Sequence, residues 1–366
     1  MTGNSSNGNW KASSYAGTSV PFAAVLPQDD YLHPVGPDAH FTAIETSLYG
    51  FDIPEHDINC NIYLLWHHAL QTMSLHIFVH KGRRILPHQL AADYFKEHLY
   101  LPAPTDIKDF TVEAGSMTYR SRVVDPLNDI MIEADDPSRT FSLRLNYRAA
   151  LPPVGRPGGK HFTQLLKTAG EVVLDGVAYP INGHYMRDRS WGYNRPEEPE
   201  RTPPYRWMTG WINDGTGGIH KSFVIAWIDT GMLDGAEFGP DWHKLTGGTD
   251  GTGANKWESG GSTPSLNLRS GWISVDGVPR PVVRIDTRTL FDDDSRLLVR
   301  GFEVDIEDDR SEVHRFTAST VAMIPKMYWQ NLVTYMHFME LTCDGLAGHG
   351  DLMDSFGGHH IRRFGL

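Results

Sequence analysis

The sequence predicts an all-β protein: two antiparallel β-barrel or sandwich domains with one short helix. Three observations predict it. Glycine (36) and proline (23) punctuate the 366 residues often enough to favour short strands over long helices. Segments of alternating or β-branched and aromatic character recur at short spacing through both halves of the chain. Asp-Gly pairs stand beside several of them, at Asp175-Gly176, Asp214-Gly215, Asp276-Gly277 and Asp344-Gly345, and Asp-Gly favours the positive φ angles of a tight hairpin turn.

Taken in order, residues 1–30 are rich in Gly, Ser and Asn and read as a flexible lead-in, with order beginning near Asp38. Ile58–Leu65 and Ser74–Val79 form a hairpin about Ala69–Thr72. Pro87–Leu99 carries the one helix, with Leu90, Tyr94 and Phe95 on a shared face and Pro102 and Pro104 closing it. Strands follow at Phe110–Glu113, Met117–Val123, Ile130–Ala134, Phe141–Ala149, Gly170–Leu174 and Val177–Ile181, with Leu151–Lys160 as a Pro/Gly-rich connector. A second proline-rich break, Arg195–Pro204, sets the boundary between an N-terminal domain, 31–197, and a C-terminal domain, 198–366. Beyond it the pattern repeats at Trp207–Ile212, Ser222–Ile228, Leu266–Val275, Val282–Arg288, Arg296–Asp305, Val313–Ala322, Leu332–Leu341 and Asp351–Asp354. Gly235–Gly261 interrupts it as a long glycine-rich loop.

Composition narrows the function. A net charge of −12 opposes nucleic acid and anionic lipid as partners, since both need a basic surface. Cys60 and Cys343 are too few for a disulfide framework and lack zinc-ligand spacing, so two reduced, buried thiols are expected. Met1–Ser19 has no apolar core of a secretory signal, and no run of 18 apolar residues occurs, so a soluble, cytoplasmic protein with no membrane span is the simplest expectation. No GxGxxG between a strand and a helix, no Walker loop and no GxSxG elbow is present, and no cofactor and no metal are expected.

The chemistry-bearing residues concentrate in Tyr179–Tyr193. An acid, two guanidiniums, a His and several aromatics crowd one strand end, a mixture suited to a pocket that sets one carboxyl group against an apolar molecule. On an extended segment Tyr185, Arg187 and Arg189 face one way, and His184, Met186, Asp188 and Ser190 the other. Flanking arginines favour the ionised aspartate and burial the protonated one, so Asp188 is either a tunable acid/base or half of a structural Arg-Asp pair. A second group is Trp66-His67-His68 with His76 and His80; His68, Trp66 and Leu64 share a face, and His68 suits a base or hydrogen-bond donor inside a cavity. A third is Tyr205, Trp207 and Trp211, which recur at even spacing and with Trp191 and Tyr193 can wall an apolar cavity or pack as core. Tyr49, near Glu45, and Glu340 are weaker leads, and His359-His360 reads as a strand-end pair.

Three places resemble the AttH-like superfamily that includes carotenoid 1,2-hydratase (hydroxyneurosporene synthase). Arg187-Asp188-Arg189-Ser190-Trp191-Gly192 stands where that family has Asp-His-x-Trp. Trp207-Met208-Thr209-Gly210-Trp211-Ile212-Asn213-Asp214-Gly215 resembles the strand and turn that open its second barrel. Phe338–Thr342 with Gly348-His349-Gly350-Asp351 resembles its C-terminal strand pair. The resemblance implies two lipocalin-like barrels with a ligand pocket near their junction, lined by Asp188 and Trp191. Arg189 replaces the family's His and cannot shuttle protons near neutral pH, which points away from carotenoid hydration and toward an Arg-Asp-Arg-Ser-Trp-Gly branch.

The sequence therefore leads to a cofactor-independent lyase acting on a hydrophobic alcohol or alkene, such as a terpenoid, steroid or lignin-derived aromatic. Hydration or dehydration, isomerisation and retro-aldol cleavage all fit. Asp188 is the acid/base, Arg187 or Arg189 tunes it or grips a substrate oxygen, and His68 and Tyr49 are further proton handlers. Tyr185, Trp191, Trp207, Trp211, Trp66 and His184 bind the substrate. A non-catalytic lipocalin-like carrier and a shape-driven cyclase are the alternatives, and a homodimer is compatible with all of them.

Overall fold

The computed structural model describes residues 22–83, 92–194, 205–228, 267–292, 295–329 and 332–357. It is all-β, and its strands fall into two compact units, Met1–Lys81 with Leu90–Arg195, and Gly82–Gln89 with Pro196–Leu366.

The first unit is one antiparallel sheet. Its strands are β1 (Ala43–Ile53), β2 (Ile58–His67), β3 (Thr72–Lys81), β4 (Ala92–Pro102), β5 (Asp109–Ala114), β6 (Met117–Asp125), β7 (Asp129–Asp136), β8 (Phe141–Ala149), β9 (Val154–Gly155), β10 (His161–Leu174) and β11 (Val177–Asn194). They are ordered β4-β3-β2-β1-β11-β10-β8-β7-β6-β5, with β9 paired to β10. One face carries the core, which runs from Tyr49, Phe51 and Trp66 through Tyr119 and Tyr147 to Leu166 and Ile181. Strands β5–β8 alternate buried and exposed or half-buried positions, as expected of a sheet with one wet face. β1–β3 are buried on both faces along nearly their whole length.

The Asp175-Gly176 turn sets the register that matters most. Both residues have positive φ, 51° and 79°, the mirror-image turn that matches strand twist. From it β10 and β11 pair without a bulge, Leu174 with Val177 outward to His161 with Ser190. Asp276-Gly277 and Asp344-Gly345 take the same form. Gly50 is required elsewhere on β1: a Cβ there would stand 2.2 Å from the Cys60 carbonyl oxygen and 2.4 Å from the ring of Tyr185.

The second unit is a closed eight-stranded barrel of β12 (Tyr205–Asn213), β13 (Ile219–Ile228), β14 (Asn267–Val275), β15 (Val278–Asp292), β16 (Ser295–Asp308), β17 (Val313–Trp329), β18 (Leu332–Cys343) and β19 (Leu346–Gly357), each paired to the next and β19 to β12. Its hydrophobic core includes Met208, Phe223, Trp227, Phe302 and Phe316.

Two expectations are corrected. The helix at Pro87–Leu99 is absent over its described part, where residues 92–102 form β4 and pair with β3, Tyr94 opposite Ile77 and Phe95 opposite His76. A short, moderately apolar helical face was outweighed by a neighbouring strand edge with unpaired backbone groups and by the aromatic residues' fit to a sheet. The lead-in is also shorter than expected. Ala23 bridges to Gly155, Val25 packs with Leu127 and Phe162, and Asp30 is buried. Residues 1–21, Arg195–Pro204, most of the Gly235–Gly261 loop's flanks and the loop itself, and His359-His360 lie outside the described residues. Cys60 and Cys343 are buried thiols outside any disulfide. Among the described residues no helix is long and apolar enough to cross a membrane.

Candidate functional site

Strand β11 carries buried side chains on both faces from Tyr185 to Ser190, and alternation divides them into two sites. Arg187 and Arg189 point to the core side of the sheet. Arg187 is fully buried and spans Asp30 Oδ1 and Oδ2 at 2.7 and 3.3 Å, with Nε and Nη2 donating to Gln164 Oε1 at 2.9 and 2.6 Å. Gln164 in turn donates to the Leu127 and Leu151 carbonyls, and the guanidinium lies 5.0 Å above the Phe162 ring. Asp30 also accepts from the Leu127 backbone N–H.

Arg189, two residues further along the strand on the same face, binds the same N-terminal segment. It donates to the Asp29 and Tyr31 carbonyls at 3.3 and 2.8 Å, to Ser47 Oγ at 2.8 Å, to the Thr46 carbonyl at 3.2 Å and to Glu45. Glu45 also holds His33 Nδ1 at 3.0 Å and His68 Nε2 at 3.1 Å. Burial raises the Glu45 carboxyl, but Arg189, His33 and His68 together outweigh it and bring it down to about 2. His33 has carboxylate oxygens at both ring nitrogens, Glu45 on Nδ1 and Asp29 on Nε2 at 3.3 Å, so both nitrogens donate and the ring is an imidazolium. Burial works against that charge, yet the Asp29 and Glu45 contacts raise its pKa. The ring stacks on Trp191, 4.1 Å between centroids and 3° from parallel. Three carboxylates, two guanidiniums and one imidazolium thus form a balanced network that fastens residues 29–33 to the end of the sheet.

Asp188 faces the other way. It is 8% exposed, and its Oδ2 is hydrogen-bonded to His161 Nε2 on β10. Beside the pair, Ser190 Oγ and Thr46 Oγ1 are hydrogen-bonded at 2.7 Å. The transverse row through Asp188 runs Thr163, Asp188, Leu48, Tyr63 and His76, with the Tyr63 and His76 rings 6.3 Å apart. Leu165, Leu65 and Met186 are buried on the same face. His184 lies further along it, and burial with Lys167 nearby holds it down to about 4. This face can move a proton beside an apolar surface.

The geometry changes several expected roles. Arg187 and Arg189 neither pair with Asp188 nor face any site it faces; their carboxylates are Asp30 and Glu45. His68 is not a strand residue but stands in the short turn after β2, on Glu45. Tyr49 is in the core, 5.5 Å from Tyr147, and burial raises its hydroxyl. Tyr185 accepts from Asn61 Nδ2 at 3.2 Å on the core side, and Trp66 lies 5.6 Å under Arg189. Trp191 covers His33 and Phe162. Trp207 and Trp211 are buried in the second unit, Trp211 6.4 Å from His349. His161, Asp30, His33 and Gln164 were missed. His161 and Gln164 were findable, because counting outward from Asp175-Gly176 puts Gln164 opposite Arg187 and His161 one step diagonal to Asp188.

Among the described residues, one group of three metal-capable side chains is close together, Asp308, Glu312 and His314. Arg280 already sits on it, with Nη1 2.7 Å from Asp308 Oδ2 and in contact with Glu312, so a cation's place is taken by a guanidinium.

The fold has solved counterparts. An AttH of Nitrosomonas europaea is 14% identical, with a TM-score of 0.52 over 89% of this chain and 99% of that one. CghA in complex with Sch210972 is 12% identical, with a TM-score of 0.54 over 87% and 89%. Kievitone hydratase of Nectria haematococca is 9% identical, with a TM-score of 0.48 over 86% and 89%. The likeness to the Nitrosomonas europaea protein and to CghA shows the fold alone, one of two all-β domains. No curated protein matches it. The family model described as a domain of unknown function, DUF7064, matches residues 26–233, more than half of the chain and all of the Asp188 face, and the chain belongs to that family.

Proposed function

We propose that the protein is a cofactor-independent lyase that adds or removes water, shifts a double bond or cleaves a retro-aldol bond in a hydrophobic alcohol or alkene. The observation that carries this is the buried Asp188–His161 pair, set among Leu48, Leu165 and Met186 and left free of the arginines on either side of it in sequence. A hydrogen-bonded carboxyl and imidazole can pass a proton to a substrate and take one back. In the hydration direction the pair protonates an alkene carbon, the neighbouring carbon becomes cationic, water adds there, and the added water returns a proton to the pair. Dehydration is the reverse. Apolar neighbours exclude bulk water and strengthen the pair's electrostatic hold on the developing charge.

Hydrophobic compounds extracted from the purified protein and identified by mass spectrometry give the substrate class. Incubation of the same compounds with fresh protein should change their mass by the elements of water, rearrange them or split them. Asp188→Asn should abolish that conversion while leaving the thermal unfolding curve in place. Recovery of the compound unchanged by the wild-type protein supports a carrier instead, and full turnover by the Asn variant removes Asp188 from the mechanism.

A further inference from the structure

The barrel of the second unit holds polar groups that its own core leaves unmatched. Arg206 enters the barrel from β12, in register with Trp227 on β13 and Asp354 on β19. Its guanidinium pairs with Asp354 through Nε and Nη2, each 3.1 Å from a carboxylate oxygen, and Nη1 donates to Thr289 Oγ1 at 2.9 Å. It lies 5.0 Å over the ring of Phe302. His337 meets the same ring edge-on, 5.9 Å between centroids.

His337 is 0% exposed. Its Nδ1 is 3.4 Å from Thr320 Oγ1, and its Nε2 has no hydrogen-bond partner. The indole Nε1 of Trp227, equally buried, has none either. An unmatched buried polar atom costs about 1–3 kcal/mol, and folded proteins keep few of them. Two in the neighbourhood of one ion pair mark a place where a hydrogen-bonding molecule belongs.

We propose that the barrel interior around Arg206 binds a small, neutral, apolar molecule bearing a carbonyl or hydroxyl oxygen. The indole N–H can only donate, so the ligand must offer an acceptor. Burial, and then the charge of Arg206, hold His337 down to about 3, so its ring is neutral and Nε2 can donate or accept. Asp354 already balances Arg206, which leaves no net charge to attract an anion. Phe302, Met208 and Leu352 supply apolar contact. The site shares no residue with the Asp188 face and stands whether or not that face is catalytic.

The test is calorimetric titration of the full-length protein with β-ionone, a neutral apolar ketone, and with a carboxylate of similar size. β-Ionone should bind, and more tightly than the carboxylate. His337→Phe and Trp227→Phe should each weaken it by roughly 5- to 30-fold, the loss of one buried hydrogen bond. Thermal unfolding of both variants separates lost affinity from lost fold; if His337→Phe does not fold, Trp227→Phe and His337→Gln carry the test. Equal affinity in wild type and folded variants overturns the proposal, as does preference for the carboxylate. So does a crystal structure soaked in β-ionone that shows only ordered water on His337 Nε2 and Trp227 Nε1.

Discussion

The two faces of β11 bury charge in different ways. On the core side, Arg187 and Arg189 spend their donors on Asp30, Gln164, Glu45, Ser47 and three backbone carbonyls. On the other side, Asp188 has a single titratable partner, His161, amid aliphatic neighbours. A charge matched at every donor holds structure, because changing its protonation or its partner breaks several bonds at once. An acid hydrogen-bonded to one imidazole can exchange a proton while the anchor contacts stay in place. The same six residues of strand thus provide an anchor and a reactive group, and alternation keeps the two chemistries apart.

The largest expected effect is on the reactive face. Asp188→Asn should lower kcat by roughly 10²- to 10⁴-fold, the usual weight of a general acid–base group, with unfolding unchanged. His161→Gln keeps a hydrogen-bonding group but no titratable one, and should cost less, about 10- to 100-fold. It should also remove one limb of the pH–rate profile. A His161 variant with the wild-type pH profile would show that the imidazole only positions Asp188.

The anchor face should behave in the opposite sense. Arg187→Met leaves Asp30 buried without its cation and should destabilise the fold by about 3–5 kcal/mol, read from the urea midpoint. Arg187→Met combined with Asp30→Leu should recover much of that loss, since a buried apolar pair avoids the desolvation cost. If the single variant is as stable as the wild type, the inner network is not an anchor.

How much of this was legible in the sequence follows the same division. The fold was legible because Asp-Gly turns and period-two patterning are local, and β10–β11 could be counted residue by residue from Asp175-Gly176. The alternation of Arg187, Asp188 and Arg189 was legible for the same reason. Their partners were not. Asp30 and Glu45 lie 157 and 144 residues away from their arginines, and Asp30 stands in a polar stretch whose composition resembles a loose terminus. Strand β4 was misread because its pairing with β3 depends on an edge that no local pattern reveals. His161 sits between: distant in sequence from Asp188, yet fixed by the turn.

The anchor should also have a pH window. Glu45 is depressed to about 2 in the fold, so its contribution is present above the unfolded carboxyl value near 4.5 and is lost as pH falls toward 2. His33 is raised, so its contribution is complete below the unfolded value near 6.5 and fades as pH rises through the folded one. Docking of residues 29–33 should therefore be tightest between about pH 5 and 6.5, seen as slowest amide exchange at Tyr31 and His33 after correction for intrinsic rates. His33→Ala should flatten the upper limb and weaken the lower one without removing it, because Arg189 and His68 still hold the Glu45 carboxylate. An upper limb that persists in His33→Ala would place that titration elsewhere.

The smallest effect tests whether burial, and not pairing as such, makes the anchor. Arg120 and Asp109 form a two-point ion pair across β5–β6, Nε–Oδ1 3.0 Å and Nη2–Oδ2 2.8 Å, with geometry close to that of Arg187 on Asp30. Their side chains, however, are 44% and 42% exposed, against 0% and 1% for the inner pair. Water solvates the outer charges whether or not they meet, and salt screens them. Arg120→Met should shift the urea midpoint far less than Arg187→Met does, and by still less in 0.5 M salt. Equal losses for Arg120→Met and Arg187→Met would mean that contact geometry alone sets the strength of both pairs. The contrast between the faces of β11 would then lose its physical basis, because the inner network would hold the fold no more firmly than a surface bridge does.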